Sequence, residues 1–243
     1  LLVNGKVSSM RHFIDLKELD GQTLRSIINA ACHRKGRRTS QSRGVIDDDS
    51  PLTGKILAML FQKPSTRTRV SFDVAMRQLG GQTLVMNAGE MQLDRGESIG
   101  DTARVLSNYV DILMVRSLSH SMLQEMVDFA SVPVINGLTD QSHPCQIMAD
   151  LMTYEEYRGS VAGKHFAWCG DGNNVAATWA QASAKFGFRL SIASPQELTL
   201  DKASIDWVNS NGGAVSLTLD PMEAVSNADC VLTDVWVSMA DEQ

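Results

Sequence analysis

Cysteine is scarce in this sequence: Cys32, Cys145, Cys169 and Cys230 are the four present, and they lie far apart. No Cys-x-x-Cys pair occurs, which speaks against a zinc site and against a disulfide framework. Dispersed free thiols fit a reducing compartment, so the expected location is cytoplasmic. Long apolar runs are missing too: nothing approaches the roughly 18 residues a membrane span needs. Leu1 to Ser9 has an apolar triplet but no charged region ahead of a long hydrophobic one, so it is not a secretory signal. Lying just before Met10, it reads as a leader that carries no function. Basic residues are in deficit, with 22 Lys+Arg against 28 Asp+Glu and a net charge of −6. That disfavours nucleic acid or an anionic membrane as the main partner, because phosphate backbones call for a basic face. Any anion site must therefore be a local concentration of cations. There is no internal repeat and no low-complexity tract.

What is present is enough chain, 243 residues with 43% hydrophobic, for one large domain or two modest ones. Apolar periodicity predicts a helix from about Asp15 to Ala31, then a polar stretch, Arg34 to Ser50, that is loop or frayed helix end. Strand-like runs follow at 56–61, 83–86, 112–115, 132–135, 165–169, 190–193, 214–217 and 230–233. Helices are expected between them near 66–79, 98–108, 120–130, 144–158, 174–186, 201–210 and 220–226. Strict β-α-β alternation means parallel sheets covered by helices. The expected fold is α/β, with two doubly wound parallel-sheet domains joined by interdomain helices. The polar turn Thr139–Pro144 marks the break: residues 10–143 form a first domain, 144–158 an interdomain helix, and 159–243 a second domain. A ligand cleft is expected between the two domains, with the informative residues just after each strand.

The first strand runs into Lys63-Pro64-Ser65-Thr66-Arg67-Thr68-Arg69 ahead of a helix. Ser65 or Thr66 suits an N-cap, and a helix N-terminus with hydroxyls and arginines suits a phosphate. A capped helix with a solvated basic first turn is the alternative. The stretch is not a Walker loop. Arg116 ends the third strand, either in a cleft mouth or in a surface ion pair. His143 precedes Pro144, a residue that suits the first helical position. Cys145 beside His143 invites a nucleophile pair, but adjacent residues on a Pro-started turn rarely aim together; a His that polarises a carbonyl, or caps the helix, fits better. Cys169-Gly170-Asp171-Gly172-Asn173-Asn174-Val175 invites a dinucleotide site. Its third glycine would fall at Val175, and the strand after it ends without the acidic residue such sites use. Asn173 and Asn174 are caps or readers of a polar substrate. Asp234, after the last strand, is an ammonium partner or a turn aspartate.

Taken in order, Ser65-Thr66-Arg67-Thr68-Arg69, Arg116, His143-Pro144-Cys145-Gln146, Asp171-Gly172-Asn173-Asn174 and Asp234 through Met239 resemble the ornithine carbamoyltransferases. The likeness runs from about Met10 to the end of the chain. Ser-Thr-Arg-Thr and His-Pro-x-Gln mark the aspartate/ornithine carbamoyltransferase superfamily. The Asn-Asn pair and the Asp…Ser-Met pair narrow it to the ornithine branch, with putrescine and acetylornithine relatives as alternatives.

The resemblance implies an enzyme of arginine biosynthesis that moves the carbamoyl group of carbamoyl phosphate to the side-chain amine of L-ornithine. Products are citrulline and phosphate, and neither metal nor cofactor is needed. It implies that Ser65, Thr66, Arg67 and Thr68 hold the phosphate and that Arg116 bridges phosphate and carbonyl oxygen. His143 would donate to the carbonyl oxygen and Gln146 would bind the carbamoyl NH2, with Pro144 and Cys145 in the same motif. Gln92 would reach a neighbouring subunit's site in a homotrimer or a multiple of one. Leu138, Asn174, Asp234, Ser238 and Met239 would hold ornithine. Two departures stand out. Ala240 replaces the family's usual Gly, and the sequence stops at Gln243, short of a His-Cys-Leu-Pro motif and a final helix. The second domain is therefore expected to be incomplete at its C-terminus. Carbamoyl phosphate should then bind better than ornithine, and a truncated, non-catalytic carbamoyl-phosphate-binding chain is a further reading.

Overall fold

The computed structural model describes residues 11–87 and 96–235. These form two compact units that are not contiguous in sequence. Residues 40–139, with the N-terminal segment ending at Ile14, make the first; residues 15–39 and 140 onward make the second.

The first unit is a four-stranded parallel sheet in the order β2-β1-β3-β4. Its strands are β1 (Ile56–Phe61), β2 (Gln82–Asn87), β3 (Ile112–Arg116) and β4 (Val134–Leu138). β1 and β3 are buried almost end to end, as expected of central parallel strands covered on both faces. Leu57, Met59 and Phe61 pack with Met76 of α2 (Thr66–Gln78). Ala58 and Leu60 pack with residues of α3 (Ile99–Ser107) and α4 (His120–Phe129) on the other face. Phe13 continues the ladder beyond β4: its N–H donates to the Val134 carbonyl at 2.8 Å, and its carbonyl accepts from Asn136 at 2.8 Å. β4 begins and ends later than its apolar run suggests. Asn136 and Gly137 stay in the ladder because the Asn136 side chain is paid for by bonds of its own, donating to the Ile14 carbonyl (2.9 Å) and accepting from Leu138 N–H (2.9 Å).

The second unit holds β5 (His165–Cys169), β6 (Arg189–Ala193), β7 (Ala214–Thr218) and β8 (Cys230–Leu232), parallel and ordered β7-β6-β5-β8. An aromatic cluster fills one side. The Phe166 ring lies 5.3 Å from Trp179 of α6 (Asn174–Phe186), 4.8 Å from Phe188 and 4.8 Å from Tyr154 of α5 (Pro144–Arg158). The opposite side is lined by small residues, Ala167 and Ala193, against Ala224 of the short α8 (Pro221–Val225). α7 (Lys202–Ser210) packs against α6 and β7. The expected helix at 15–31 is a single 3-10 turn, Leu16–Glu18, followed by α1 (Gly21–Arg37). Asp20 supplies the break: as N-cap, its carboxylate accepts from Thr23 N–H at 2.7 Å. α1 folds with the second unit through buried Leu24 and Ile28, an Arg25–Glu155 ion pair at 2.5 Å and Arg25 stacked 5.1 Å over Phe186.

Candidate active site

In the first unit, the predicted phosphate residues sit where β1 hands over to α2. Ser65 is the N-cap of α2, its Oγ accepting from Thr68 N–H and donating to Thr68 Oγ1 at 2.9 Å. Thr66 and Arg67 begin the helix, so their backbone N–H groups lie among the donors that a helix start leaves without intrahelical partners. Arg116, the last residue of β3, reaches across to Thr68: Nη1 donates to Oγ1 at 3.3 Å. Ser65, Thr68 and Arg116 are therefore one connected group. Arg116 is 9% exposed, and its Nε finds no hydrogen-bond partner among the described residues. Burial first, and then the nearby charge of Arg67, make its guanidinium easier to deprotonate than an ordinary one. It stays charged all the same. Two guanidinium groups that repel each other at a helix N-terminus make a strong local positive potential, which an anion would relieve.

The loops behind this group are fixed by residues that no motif in the sequence marks. Gln62 Oε1 accepts from Ser117 Oγ (2.5 Å) and Leu118 N–H (3.2 Å), tying the end of β1 to the end of β3. A buried serine following a strand-ending arginine was the available signal. Leu138 is buried and pairs with Arg116 across a register shift in the β3–β4 ladder. Its φ of 156° is a strained value for a side chain other than glycine. Asn136, which accepts its N–H, and Ser117, which donates to its carbonyl at 3.0 Å, hold it there.

In the second unit, His143 is the N-cap of α5 but its side chain makes no capping bond; Pro144 takes the first helical position. The imidazole is thus not spent on the helix start. His143 N–H donates to Thr178 Oγ1 at 2.9 Å, and Thr178 donates to the Asn174 carbonyl at 2.7 Å. Buried Thr178 therefore links two predicted site residues, His143 and Asn174. Cys145 is no nucleophile partner: burial of its thiol pushes it up to about 12, leaving almost no thiolate at neutral pH. Gln146 Nε2 donates to Asp150 Oδ1 at 2.8 Å, one helical turn on.

The Gly170–Asn174 turn is built for its own backbone. Asn173 caps α6, its Oδ1 accepting from Val175 and Ala176 N–H at 2.9 and 3.0 Å. Its Nδ2 donates to Asp171 Oδ1 (3.0 Å) and to Asp234 Oδ2 (3.4 Å), which places exposed Asp234 beside the start of α6. A Cβ on Gly172 would fall 2.5 Å from backbone atoms of Thr199 and Leu200. The glycine is needed for the chain's own crossing, not for a pyrophosphate. Gln92, Ser238 and Met239 lie outside the described residues.

Two family models match these two halves. One, described as the aspartate/ornithine carbamoyltransferase carbamoyl-P binding domain, covers residues 11–156. The other, the Asp/Orn binding domain of the same family, covers residues 162–243. The chain belongs to the aspartate/ornithine carbamoyltransferase family. Among the relatives of this carbamoyltransferase chain, an ornithine carbamoyltransferase of Rhodopseudomonas palustris (strain BisA53) is 56% identical over 232 residues, 96% of this chain and 74% of that protein. One from Nitrobacter winogradskyi is 55% identical over the same shares. The solved ornithine carbamoyltransferase of Pyrococcus furiosus superposes with a TM-score of 0.89 at 43% identity, covering 98% of this chain and 76% of that one. The anabolic enzyme of Campylobacter jejuni gives 0.86 at 35%, covering 96% and 76%. The doubly wound parallel fold expected of the carbamoyltransferase family is the one found. No described helix is long and apolar enough to cross a membrane.

Proposed function

We infer that this protein transfers the carbamoyl group of carbamoyl phosphate to the side-chain amine of L-ornithine, giving citrulline and phosphate. The observation that carries the reading is the Ser65–Thr68–Arg116 group at the start of α2, with Arg67 beside it. A dianion in that position would meet helix N–H groups, two hydroxyls and two guanidinium groups.

Ser65, Thr66, Arg67 and Thr68 hold the phosphate in this reading, and Arg116 spans phosphate and carbonyl oxygen. The neutral amine of ornithine attacks the carbonyl carbon. The tetrahedral oxyanion would be met by Thr68, Arg116 and His143 as donors. The C–O bond to phosphate breaks, and a phosphate oxygen takes the proton lost by the amine. Gln146 binds the carbamoyl NH2, with Pro144 and Cys145 shaping the turn that presents it. Leu138, Asn174, Asp234, Ser238 and Met239 receive ornithine, with Asp234 facing an ammonium and Asn174 the carboxylate end. Gln92 serves a neighbouring subunit of a homotrimer or a multiple of one. The reaction belongs to arginine biosynthesis and takes place in the cytoplasm.

The test is a carbamoylation assay with ornithine, putrescine, acetylornithine and aspartate side by side, run on this chain and on a version extended to its relatives' length. Citrulline formation from ornithine in preference to the other three is expected. Preference for another acceptor would move the protein to a sister branch, and carbamoyl phosphate binding without turnover by either version would leave only a ligand-binding role.

A further inference from the structure

Asp150 takes no part in the roles assigned so far, yet it is the partner of Gln146. On a solvated helix a Gln–Asp pair one turn apart is ordinary and adds only a few tenths of a kcal/mol. Gln146 is exposed here, but Asp150 is not fully solvated. It is half-buried on α5, and Asp234 lies close enough to act on it electrostatically. Burial is the larger influence and Asp234 adds to it; together they push the carboxyl above its usual range, while the bond from Gln146 pulls the other way. A carboxylate kept near a second carboxylate in partly dry surroundings needs a reason beyond helix stability.

The chemistry of the pair supplies one. An ionised carboxylate only accepts hydrogen bonds, whereas a carboxamide has a donating end and an accepting end. The Gln146–Asp150 contact, at 2.8 Å, is therefore made by Nε2, and Oε1 faces elsewhere. A carbamoyl NH2 is a donor and needs Oε1; an amide turned the other way would oppose NH2 to NH2.

We propose that Asp150 is a positioning residue for the transfer reaction: by holding Nε2 of Gln146 it fixes Oε1 as the end offered to the carbamoyl NH2. This rests on the functional reading above. Asp150→Asn is the decisive variant, because asparagine has nearly the same shape but can accept or donate and so no longer selects one amide orientation. Asp150→Glu keeps an accepting carboxylate.

Two measurements test it together. Calorimetric titration compares carbamoyl phosphate with inorganic phosphate. Asp150→Asn should weaken carbamoyl phosphate roughly tenfold, the size of one misdirected hydrogen bond, and leave phosphate unchanged. Asp150→Glu should restore most of the loss, and Asp150→Asn should add nothing in a Gln146→Ala background. The second measurement is the Gln146 side-chain amide signal in the ligand-free protein by 15N NMR, assigned by its disappearance in Gln146→Ala. It should move in Asp150→Asn and stay near its place in Asp150→Glu. Equal weakening of both ligands, or an amide signal indifferent to Asp150→Asn, would overturn the proposal. If the unaltered protein binds carbamoyl phosphate no better than phosphate, the functional reading fails, and the amide signal still decides whether Asp150 orients Gln146.

Discussion

Arg116 combines three properties that seldom coincide: it is buried, it lies near a second arginine, and its Nε has no partner among the described residues. Left so, such a group destabilises the fold, and a bound phosphate would offset that cost. Arg116→Ala should therefore lower kcat by on the order of 10²–10³, the usual effect of losing one oxyanion donor. Arg116→Lys should recover only part, since an ammonium cannot span two oxygens as the guanidinium fork does. Steady-state kinetics on both variants decide this, and near-normal turnover by Arg116→Ala would remove the residue from the mechanism. Cys145 makes the contrasting case. With its thiol pushed up to about 12 from 9.0, its thiolate fraction near pH 8 is about a thousandfold below that of an ordinary thiol. Mass-spectrometric mapping after iodoacetamide treatment at pH 8 should find Cys145 unmodified while the protein is folded and modified once it is denatured. The linkage has a definite sign. The folded state holds this proton more tightly, so the contribution is whole below about pH 9 and is lost as pH rises from there toward 12.

The helices and strands were legible because each carries its signals locally. Asp20, Ser65, Ser98, Ser119, Asp201 and Asp220 are all short polar residues whose side chains cap the helix that follows. The misplaced boundaries have two causes, a distant partner at β4 and a local cap set inside an apolar period at α1. β4 runs on through Asn136 and Gly137 because distant Ile14 satisfies Asn136, and no local pattern reveals a partner that far away in sequence. α1 starts late because Asp20, a single residue inside an apolar period, outcompetes the period. Gly172 belongs with β4: its resemblance to a dinucleotide turn was visible, but the strand-to-helix turn it permits depends on the 198–200 backbone lying against it. Gly172→Ala should consequently destabilise the protein by about 1–3 kcal/mol, the range for overpacking, because backbone atoms cannot swing away. Gly137→Ala offers a control. There the nearest atom to an added Cβ is the Met114 sulfur, the flexible part of a side chain that can give way, so its loss should be smaller. Urea unfolding of the two variants compares them directly; equal losses would mean that the 198–200 segment yields after all.

At the scale of the whole molecule, Ser65, Thr68 and Arg116, singled out on separate elements of the sequence, lie in one hydrogen-bonded group. The supporting residues Gln62, Ser117, Thr178 and Asp150 leave no motif, because each acts through hydrogen bonds to groups that only the fold brings near. Assembly is the remaining whole-molecule property, and in the proposed reading it bears on the site through Gln92. Val70 and Val74 lie one turn apart on α2, 54% and 36% exposed, and α2 packs on β2, the edge of the first sheet. Exposed valines on a helix that also starts the candidate site are natural material for a contact between copies. In the proposed homotrimer or multiple of one, a chain of 26.5 kDa should sediment at three times its mass or a multiple of that, and Val70→Glu with Val74→Glu should lower that mass while leaving each chain folded by circular dichroism. Mixing variants tests the sharing itself. Gln92→Ala and Arg116→Ala should each be nearly inactive alone. In trimers formed from equal amounts, a Gln92→Ala chain that keeps Arg116 sits beside an Arg116→Ala chain that keeps Gln92 at about a quarter of the sites, by random assortment around a closed ring. Activity recovered to about that fraction, after co-refolding and not after simple mixing of stable assemblies, is the expected outcome. Recovery that never rises above the two variants assayed separately would mean that Gln92 does not serve a neighbour.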